Sequence, residues 1–378
     1  IYNNLNYIYK TKGTEKSFRN LIRCFGLGEE LIKINMYANN VEFDFTTNRK
    51  NRVTTKKFAN FNTYTNSDAT VCQLQSSTDT VNTYGFISSS AELSGGYAFT
   101  LETEVIFPEK FSESEDFYTD TNIISSSLFG VHATNAQPAD TPGSEPAQTD
   151  TATPVDDATN FQVYAVRDSK PSPNVQFVLT SSAGGYIPLI TSSLFLDVYN
   201  NANWNFAVKI SPKNWPWDGQ IPDAGSDEYS VEFQGVHVDA GVIVDSFNIT
   251  GSTPVGTAAS FITGSRRVYI GSHKSNITGG TLQRSDVKIS SVRLWLDRLS
   301  EKTIENHAYD SENYGRSDAA SYAFPFESSS SMGDISKIDT LLLNWDFNQN
   351  TGSDASGEFR VADLHSGSYD LLLTASSW

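Results

Sequence analysis

The chain has few of the residues that build metal centres and disulfide frameworks. It contains only 2 cysteines, 2 methionines and 5 histidines in 378 residues. Cys24 and Cys72 are too few, and too far apart in sequence, for a disulfide framework or a zinc cluster. We predict two unpaired, buried thiols, with a single bridge between them as the alternative. The histidines lack the short spacing that metal pairs use, so no metal site is predicted from them.

Long apolar runs are also missing. No stretch approaches the ~20 apolar residues that a membrane-spanning helix requires, and no signal-peptide pattern is present. Because the chain starts at Ile1 with strong patterning at once, we expect an internal piece of a longer polypeptide.

Charge is low in total and unevenly distributed. Charged residues make up 19% of the chain, and the formal net charge is −17. Residues 1–57 carry 11 basic and 5 acidic residues, a net of +6, whereas the remainder carries 16 and 39, a net of −23. The acidic balance argues against nucleic acid as a partner, because phosphate binding requires a concentrated basic surface. The asymmetry predicts two parts with different partners.

Aromatic residues are abundant, at 12% of the chain, and the pattern from Phe58 onward is that of short strands. Alternating segments are separated by turns rich in Gly, Asn, Ser and Pro, which predicts an antiparallel β-sandwich or jelly roll. The predicted strands are 69–74, 84–89, 97–107, 122–132, 161–167, 175–181, 203–210, 229–238, 266–272, 287–296 and 340–347.

The first 57 residues follow a different pattern. A helix is predicted after the N-cap Thr14, with one apolar stripe and a basic edge beside it. The stripe is Phe18, Leu21, Ile22 and Phe25, and the edge is Lys16, Arg19 and Arg23. Two strands follow, at 31–37 and 41–45. We predict a small basic α+β module at 1–57 whose helix serves assembly, with Lys16, Phe18, Arg19 and Arg23 as its contact residues.

The remaining boundaries come from composition. The sandwich is predicted at 58–325, interrupted at 135–159 by a loop that is rich in proline and acid and that we expect to be disordered. Residues 326–378 are predicted to be a linker and a C-terminal β segment, which either completes the sandwich or leads into a following unit.

Residues 266–310 carry the strongest fold signal. A strand ending in RRVYIGS precedes a strand and helix, VRLWLDRLSEKTIENHAYD, with a phase slip at Ser290–Ser291 that predicts a bulge. One helical turn is predicted from the N-cap Ser300, with Ile304 facing inward. These residues resemble the laminin G-like, concanavalin A-like jelly-roll family. The resemblance implies a sandwich that binds surfaces, often glycans, rather than one that catalyses a reaction.

Two further segments resemble structural proteins of tailed phages. They are YKTKGTEKSFRNLIRCFG at 9–26 and LLLNWDFNQNTGSDASGEFRVADLHSGS at 341–368. The resemblance implies a virion protein of the tail, baseplate or fibre, as part of an oligomeric assembly. Other virion proteins and host-surface glycans would then be its partners. No coiled-coil heptad indicates an oligomeric state.

Catalytic motifs are absent or incomplete. Glu102 and Glu104 share a strand face, but Ile106 and Phe107 follow where a glycan hydrolase of this class would have a third acid. We interpret the two glutamates as the outward polar face of an amphipathic strand. No nucleophile elbow, P-loop or dinucleotide fingerprint is present, so we predict that the protein is not an enzyme.

Trp215, Trp217 and Asp218 are the predicted glycan-binding residues. An indole ring stacks on the apolar face of a sugar, and a carboxylate binds its hydroxyls. The alternative is that both tryptophans fix their loop to the sandwich. Trp204 and Trp345 lie in strand patterns, as does Trp295, and are predicted core residues.

Calcium is the one cofactor for which the loop sequences contain candidate ligands. Asp346 begins a loop whose acidic and amide residues resemble a calcium site, but its glycine is one position late for an EF-hand. A second group of acidic residues is also a candidate calcium site: Asp218, Asp223, Asp227 and Glu228.

Three functions therefore compete. The first is a phage structural and binding protein that docks through residues 1–57 and projects its jelly roll. The second is a secreted or cell-surface carbohydrate-binding lectin without a virion role. The third is a hydrolase of host glycans, which would require activity that is lost in Glu102→Gln or Glu104→Gln.

Overall fold

A computed structural model describes part of the chain in detail. The described residues are 2–27, 37–38, 41–42, 56–63, 66–73, 98–109, 123–133, 161–169, 172–181, 187–213, 215, 228–254, 258, 266–274, 280–312, 314–315, 337–348, 359, 361 and 363–364. The chain divides into two compact units, Ile1–Thr54 and Thr55–Trp378. The predicted strand at 84–89 and the predicted loop at 135–159 lie outside the described residues.

The first unit begins with two helices. A 3-10 turn at Tyr2–Asn4 leads into α1 (Leu5–Lys10), α2 (Glu15–Arg23) follows, and a short ladder joins β1 (Tyr37–Ala38) to β2 (Val41–Glu42). Thr14 is the N-cap of α2, as predicted. Gly13, at φ +83°, provides the left-handed backbone between the helices. None of the described helices combines the length and apolar composition that crossing a bilayer requires.

The second unit is built from strands. In chain order they are β3 (Ala59–Asn60), β4 (Thr70–Cys72), β5 (Phe99–Ile106), β6 (Ser125–Ala133), β7 (Phe161–Arg167), β8 (Val175–Thr180), β9 (Ile190–Phe195), β10 (Asn203–Pro212), β11 (Glu228–Asp239), β12 (Val242–Pro254), β13 (Arg266–Gly271), β14 (His273–Lys274), β15 (Thr281–Gln283), β16 (Lys288–Trp295) and β17 (Leu341–Trp345). Helix α3 (Glu301–Tyr309) follows β16, and a 3-10 turn at Ile338–Thr340 precedes β17.

Two antiparallel sheets form a sandwich. The seven-stranded sheet has the order β12-β11-β10-β5-β16-β17, with β3 also paired to β16. The six-stranded sheet has the order β4-β13-β6-β7-β8-β9. Every pairing between described strands is antiparallel. The predicted fold class, a mostly β antiparallel sandwich, is confirmed, and the register break between Ile289 and Ser291 confirms the predicted bulge.

The main core lies between the two sheets. Phe99 of β5 lies 6.3 Å from Phe161 of β7, ring centre to ring centre. Trp204 of β10 lies 4.9 Å from Phe177 of β8. Both contacts cross from one sheet to the other. Alternate residues of each strand point to the same face, and in these strands that face is turned towards the other sheet. Trp204 and Trp345 are buried in this core, as predicted.

A second apolar cluster lies on the opposite face of the seven-stranded sheet. Its buried members come from the sheet, from α3 and from the adjoining segments: Ala207, Val236, Trp295, Leu299, Ile304, Tyr314 and Leu341. Trp295 is therefore buried as predicted, but under a helix and not between the sheets.

Helix α3 covers that face. The Oγ of Ser300 accepts a hydrogen bond from the N–H of Thr303 at 3.1 Å, and Ile304 is fully buried, as predicted. The helix has 9 residues, so the prediction of a single turn is wrong. The full length of this helix could not be predicted from local sequence, because packing against the sheet provides most of the stability of a short helix.

Five of the described strands were missed. Three of them, β3, β14 and β15, have only two or three residues. The other two, β9 and β12, are edge strands, and neither was among the predicted segments. In β12 the side chains alternate between exposed and half-buried over almost the whole strand. Val242 and Val244 occupy its exposed face, and together with Ile243 they hide the alternation at the start of the strand.

The turn before β12 contains a strained residue. Asp239 pairs with Val242, so Ala240 (φ +48°) and Gly241 (φ +77°) form a two-residue loop with both φ angles positive. We expect Ala240→Asn to raise the free energy of unfolding by about 0.5–1 kcal/mol, because asparagine tolerates this conformation better than alanine. Chemical denaturation measures the difference.

Gly241→Ala is the matched control for that turn. A Cβ at Gly241 meets nothing within 4 Å, so only backbone strain changes, and we expect a loss of about 1 kcal/mol. Equal stability of Ala240→Asn and the parent would contradict the proposed strain.

Candidate functional site

The helices of the first unit expose large apolar side chains. No described residue of the 3-10 turn, α1 or α2 is buried. Phe18 and Phe25 are 60% and 66% exposed. We call the exposed apolar residues of α1, α2 and the turn after α2 the apolar helical surface: Leu5, Tyr7, Tyr9, Phe18, Leu21 and Phe25. Exposed apolar residues concentrated in one small unit are typical of an interaction site.

The helices contact each other through smaller groups. The Oγ of Ser17 donates to the carbonyl oxygen of Ile8 at 3.3 Å, and the Nδ2 of Asn4 lies 3.4 Å from the Sγ of Cys24. Ile22 is half-buried, whereas the other three residues of the predicted stripe are exposed. The apolar side of α2 is thus only partly used within the unit.

The predicted basic residues lie on the same helix. Lys16, Arg19 and Arg23 are all exposed, and Arg19 forms an ion pair with Glu15 one turn earlier. The four predicted assembly residues, which include Phe18, are thus all exposed on α2, and their role in assembly stays a prediction.

The predicted glycan residues lie mostly outside the described part of the chain. Trp215 is half-buried beyond the end of β10, and Trp217 and Asp218 are outside the described residues. At the base of this loop the Nζ of Lys213 lies 3.0 Å from the Oε2 of Glu228. Glycan binding at the three predicted residues stays a prediction.

The calcium candidates are only partly described. The backbone N–H of Asn348 donates to the Oδ1 of Asp346 at 3.0 Å, which is an Asx turn. Glu228 pairs with Lys213, whereas Asp223 and Asp227 lie outside the described residues. Within the described ranges, no three His, Cys, Asp or Glu residues gather closely enough to hold a metal ion. Calcium stays a prediction.

Glu102 lies at the centre of a buried polar cluster under α3. Its Oε2 is 2.9 Å from the Nδ1 of His307. Its Oε1 accepts hydrogen bonds from the Nε1 of Trp295 at 3.0 Å and from a guanidinium nitrogen of Arg293 at 3.4 Å. The Arg293 guanidinium also lies 4.2 Å from the ring centre of Tyr314. All five side chains are buried.

The cluster holds Glu102 in its charged form. Burial alone would raise the pKa of Glu102. The attraction and hydrogen bond of His307 oppose it, as do the charge of Arg293 and the Trp295 hydrogen bond, and together they lower that pKa to about 2.

Glu104 forms a second buried cluster on the same face. Its carboxylate accepts hydrogen bonds from Asn203 at 2.7 Å, Ser290 at 2.5 Å, Ser311 at 2.6 Å and Lys56 at 3.1 Å. Burial raises the pKa of Glu104, but Lys56 and the hydrogen bonds outweigh it, so the pKa is lowered overall. Lys56 lies in the second compact unit, Thr55–Trp378, together with Glu104.

Glu102 and Glu104 form the outward polar face of β5, as interpreted from the sequence, but that face is buried. Both point away from the main core, as the alternation predicted, but α3 and the residues after it enclose them. These two carboxylates are therefore occupied by protein partners and closed off from a sugar substrate.

A different polar cluster lies on the outer face of the six-stranded sheet. We call it the histidine–tyrosine cluster: His132, Gln162, Tyr164, Tyr269 and His273. The Oη of Tyr164 lies 2.7 Å from the Nδ1 of His273. The His273 ring stacks on Tyr269 with centres 5.8 Å apart and an angle of 16°, and it lies 5.8 Å from the ring of His132.

Gly130 makes room for this arrangement. It lies opposite Tyr269 on one side and Gln162 on the other. A Cβ at Gly130 would approach the Tyr269 ring to 3.0 Å and would clash with the carbonyl oxygen of Phe161. A larger residue would therefore displace the ring or the neighbouring strand.

The hydrogen-bonded pair of the cluster, His273 and Tyr164, is neutral at neutral pH. Burial, followed by repulsion from His132, lowers the pKa of His273 to about 3. Burial raises the pKa of Tyr164 well above its usual value. In the sequence, the only signal for this cluster was the alternation of polar residues along β6, β7 and β13. Its two histidines lie in strands far apart in the chain, so their proximity could not be predicted.

Comparison with known proteins gives weak likenesses. No protein-family model matches the chain, and no curated protein matches it in sequence. Full-length tailspike protein 2 of an Escherichia coli O157:H7 bacteriophage is 10% identical over 69% of this chain and 29% of that chain, with a TM-score of 0.33. The enzymatically active domain of tailspike protein 2 of bacteriophage CBA120 is 12% identical over 70% of this chain and 32% of that chain, with a TM-score of 0.31. The chain spans about a third of the length of these structures. Because both TM-scores are below 0.5, neither likeness establishes a shared fold or function.

Proposed function

We propose that this chain is a structural protein of a tailed-phage particle. Its first unit docks onto another virion protein through the apolar helical surface, and its sandwich is displayed as a laminin G-like binding domain. The observation that carries the proposal is the set of large apolar side chains exposed on α1 and α2, in a unit with no buried residue among its described helices. The two sequence segments that resemble phage structural proteins, 9–26 and 341–368, support the same role.

Hydrophobic burial would provide most of the docking energy. Burying an aromatic side chain fully contributes about 1.5–3 kcal/mol, so two residues such as Phe18 and Phe25 contribute roughly 3–6 kcal/mol. Surfaces of this kind gain their stability only when a partner removes them from water.

Charge would orient the docked unit. Lys16 and Arg23 are exposed on the same helix as Phe18, and residues 1–57 carry a net charge of +6. An apolar groove edged by carboxylates is the complementary surface, because opposite charges at a rim steer association and fix register. The sandwich, with its acidic balance, would remain away from other polyanions.

The displayed sandwich is the part proposed to contact host-surface glycans. Trp215, Trp217 and Asp218 are the residues proposed for that contact, and the glutamates at 102 and 104 have no part in it because they are enclosed. The proposal is for a binding protein that is not an enzyme.

The test removes apolar area from the first unit. We expect Phe18→Ser combined with Phe25→Ser to reduce incorporation into purified particles at least 100-fold, which corresponds to about 3 kcal/mol of lost docking energy. Quantitative mass spectrometry of particles produced with the variant measures incorporation. The thermal midpoint of the isolated chain should stay unchanged, because both side chains are exposed.

Val242→Ser combined with Val244→Ser is the matched control. These two residues are 62% and 57% exposed on the edge strand β12 of the sandwich, and their loss should leave incorporation unchanged. Normal incorporation of the Phe18 and Phe25 variant would overturn the proposed docking surface. A parent chain absent from every particle, but bound tightly to one free sugar, would favour the secreted lectin instead.

A further inference from the structure

The histidine–tyrosine cluster contains three buried polar atoms that lack a hydrogen-bond partner in the described part of the protein. They are the Nε2 of Gln162, the Oη of Tyr269 and the Nε2 of His273. The three residues are only 3%, 2% and 8% exposed. Buried polar groups are nearly always satisfied by protein, water or an ion, so three unmet atoms on one sheet face point to an occupant between protein groups.

The ring of His273 is held in one orientation. Its Nδ1 lies 2.7 Å from the Oη of Tyr164, and its flat face stacks on Tyr269. When Nδ1 carries the proton and donates it to Tyr164, the lone pair of Nε2 is left without a partner. Histidines that bind metals are commonly held in this way, with the second ring nitrogen bonded to an oxygen atom.

A second imidazole lies at a suitable distance. The ring centres of His132 and His273 are 5.8 Å apart. Two imidazoles that bind one ion through Zn–N bonds of about 2.0–2.1 Å have ring centres roughly 5–6 Å apart. One ring nitrogen of His132 suffices for such a bond, and the other can keep its own partner.

We propose that His132 and His273 together bind a divalent transition-metal ion on the outer face of the six-stranded sheet. The ion belongs to the class that imidazole prefers, such as Zn²⁺ or Ni²⁺. Tyr164 is a positioning residue, which orients the His273 ring from the side opposite the metal. This site is independent of the proposed docking role, because it lies entirely within the sandwich.

Water would complete the coordination. No third His, Cys, Asp or Glu stands close enough among the residues that the structure describes. A water bound to the ion could accept a hydrogen bond from the Nε2 of Gln162, which would satisfy one of the other two unmet atoms.

A bound ion would link two strands that are far apart in the sequence. His132 lies in β6 and His273 in β14, which follows β13 after a single residue. An ion bound to both would tie these strands together in the folded state only. Binding should therefore raise the thermal midpoint in a metal-dependent way.

Isothermal titration calorimetry of the full chain with ZnCl₂, NiCl₂ and MgCl₂ tests the proposal. We expect single-site binding of Zn²⁺ and Ni²⁺ and none of Mg²⁺. His273→Asn keeps an amide where Nδ1 stood and removes Nε2, so it should weaken binding at least 10-fold. Tyr164→Phe should weaken binding about 10–100-fold through loss of the orienting hydrogen bond.

His237→Asn is the matched control. His237 lies in β11 on the other sheet, 3.7 Å from Asp245, and its loss should leave the affinity unchanged. Absence of Zn²⁺ and Ni²⁺ binding in the parent would overturn the proposal. Equal affinity of the His273→Asn variant and the parent would overturn it too. So would binding of a free sugar that depends on His273 without any bound metal.

Discussion

Replacing Glu102 with glutamine is expected to lower the free energy of unfolding by about 3–5 kcal/mol. The substitution keeps the size of the side chain but removes the carboxylate that pairs with Arg293 and His307 in a closed site. The guanidinium would then remain buried without its counter-charge, which is the costly part of breaking a buried ion pair. Urea denaturation at pH 7 measures the change.

The pH dependence gives this prediction a second readout. The pKa of Glu102 is lowered from 4.5 to about 2 in the folded protein. A carboxyl with a lowered pKa contributes stability that is fully present above pH 4.5 and is lost as the pH falls towards 2. The contribution is roughly 3 kcal/mol, so the difference between parent and Glu102→Gln should shrink over that range.

Glu109→Gln is the control for Glu102. Glu109 lies just beyond β5 and is exposed, so its substitution should change stability by less than about 0.5 kcal/mol. If Glu102→Gln unfolded like Glu109→Gln at pH 7, the buried cluster would not be the stabilising element described above.

Trp204→Ala is expected to destabilise the sandwich by about 3–5 kcal/mol. The Trp204 ring lies between the sheets, 4.9 Å from Phe177, 5.0 Å from Phe195 and 5.7 Å from Phe206. Removing it leaves a cavity bordered by aromatic rings that cannot collapse into the space. Denaturant titration followed by far-ultraviolet circular dichroism measures the loss.

Trp204→Phe separates ring packing from hydrogen bonding. Within the described part of the chain, the indole Nε1 of Trp204 is buried without a hydrogen-bond partner. A phenyl ring removes that donor and keeps most of the packing, so we expect a cost below about 1.5 kcal/mol. A large cost for Trp204→Phe would show that the indole nitrogen has a partner in solution.

Local sequence signals predicted much of this fold. The bulge near Ser290, the N-cap at Ser300 and the inward face at Ile304 all depend on residues within one strand or one helical turn. Strand alternation placed Trp204 and Trp345 in the core for the same reason. Features that depend only on neighbouring residues can be predicted without knowing where distant parts of the chain lie.

The predictions failed where distant segments meet. Glu102 and His307 are separated by 205 positions and become partners only because α3 lies on the outer face of β5. The alternation of β5 is the same whether that face is covered by helix or by water. The pairing of His132 with His273 likewise depends on strand order, which single-strand patterns do not contain.

One signal for the helix cover was present. Ile304 and His307 are three residues apart, so they share one face of α3, and both are buried. The exposed surface of α2 was predicted more completely, because an amphipathic stripe in a unit too small to bury it must face outward or meet a partner.

Cryo-electron microscopy of intact particles tests the central proposal most directly. We predict density for the sandwich projecting from the tail or baseplate, with Phe18 and Phe25 buried against a neighbouring virion protein. The proposal would be contradicted if the chain were absent from the particles. It would also be contradicted if the chain were present with the apolar helical surface in solvent and the sandwich as the docked part.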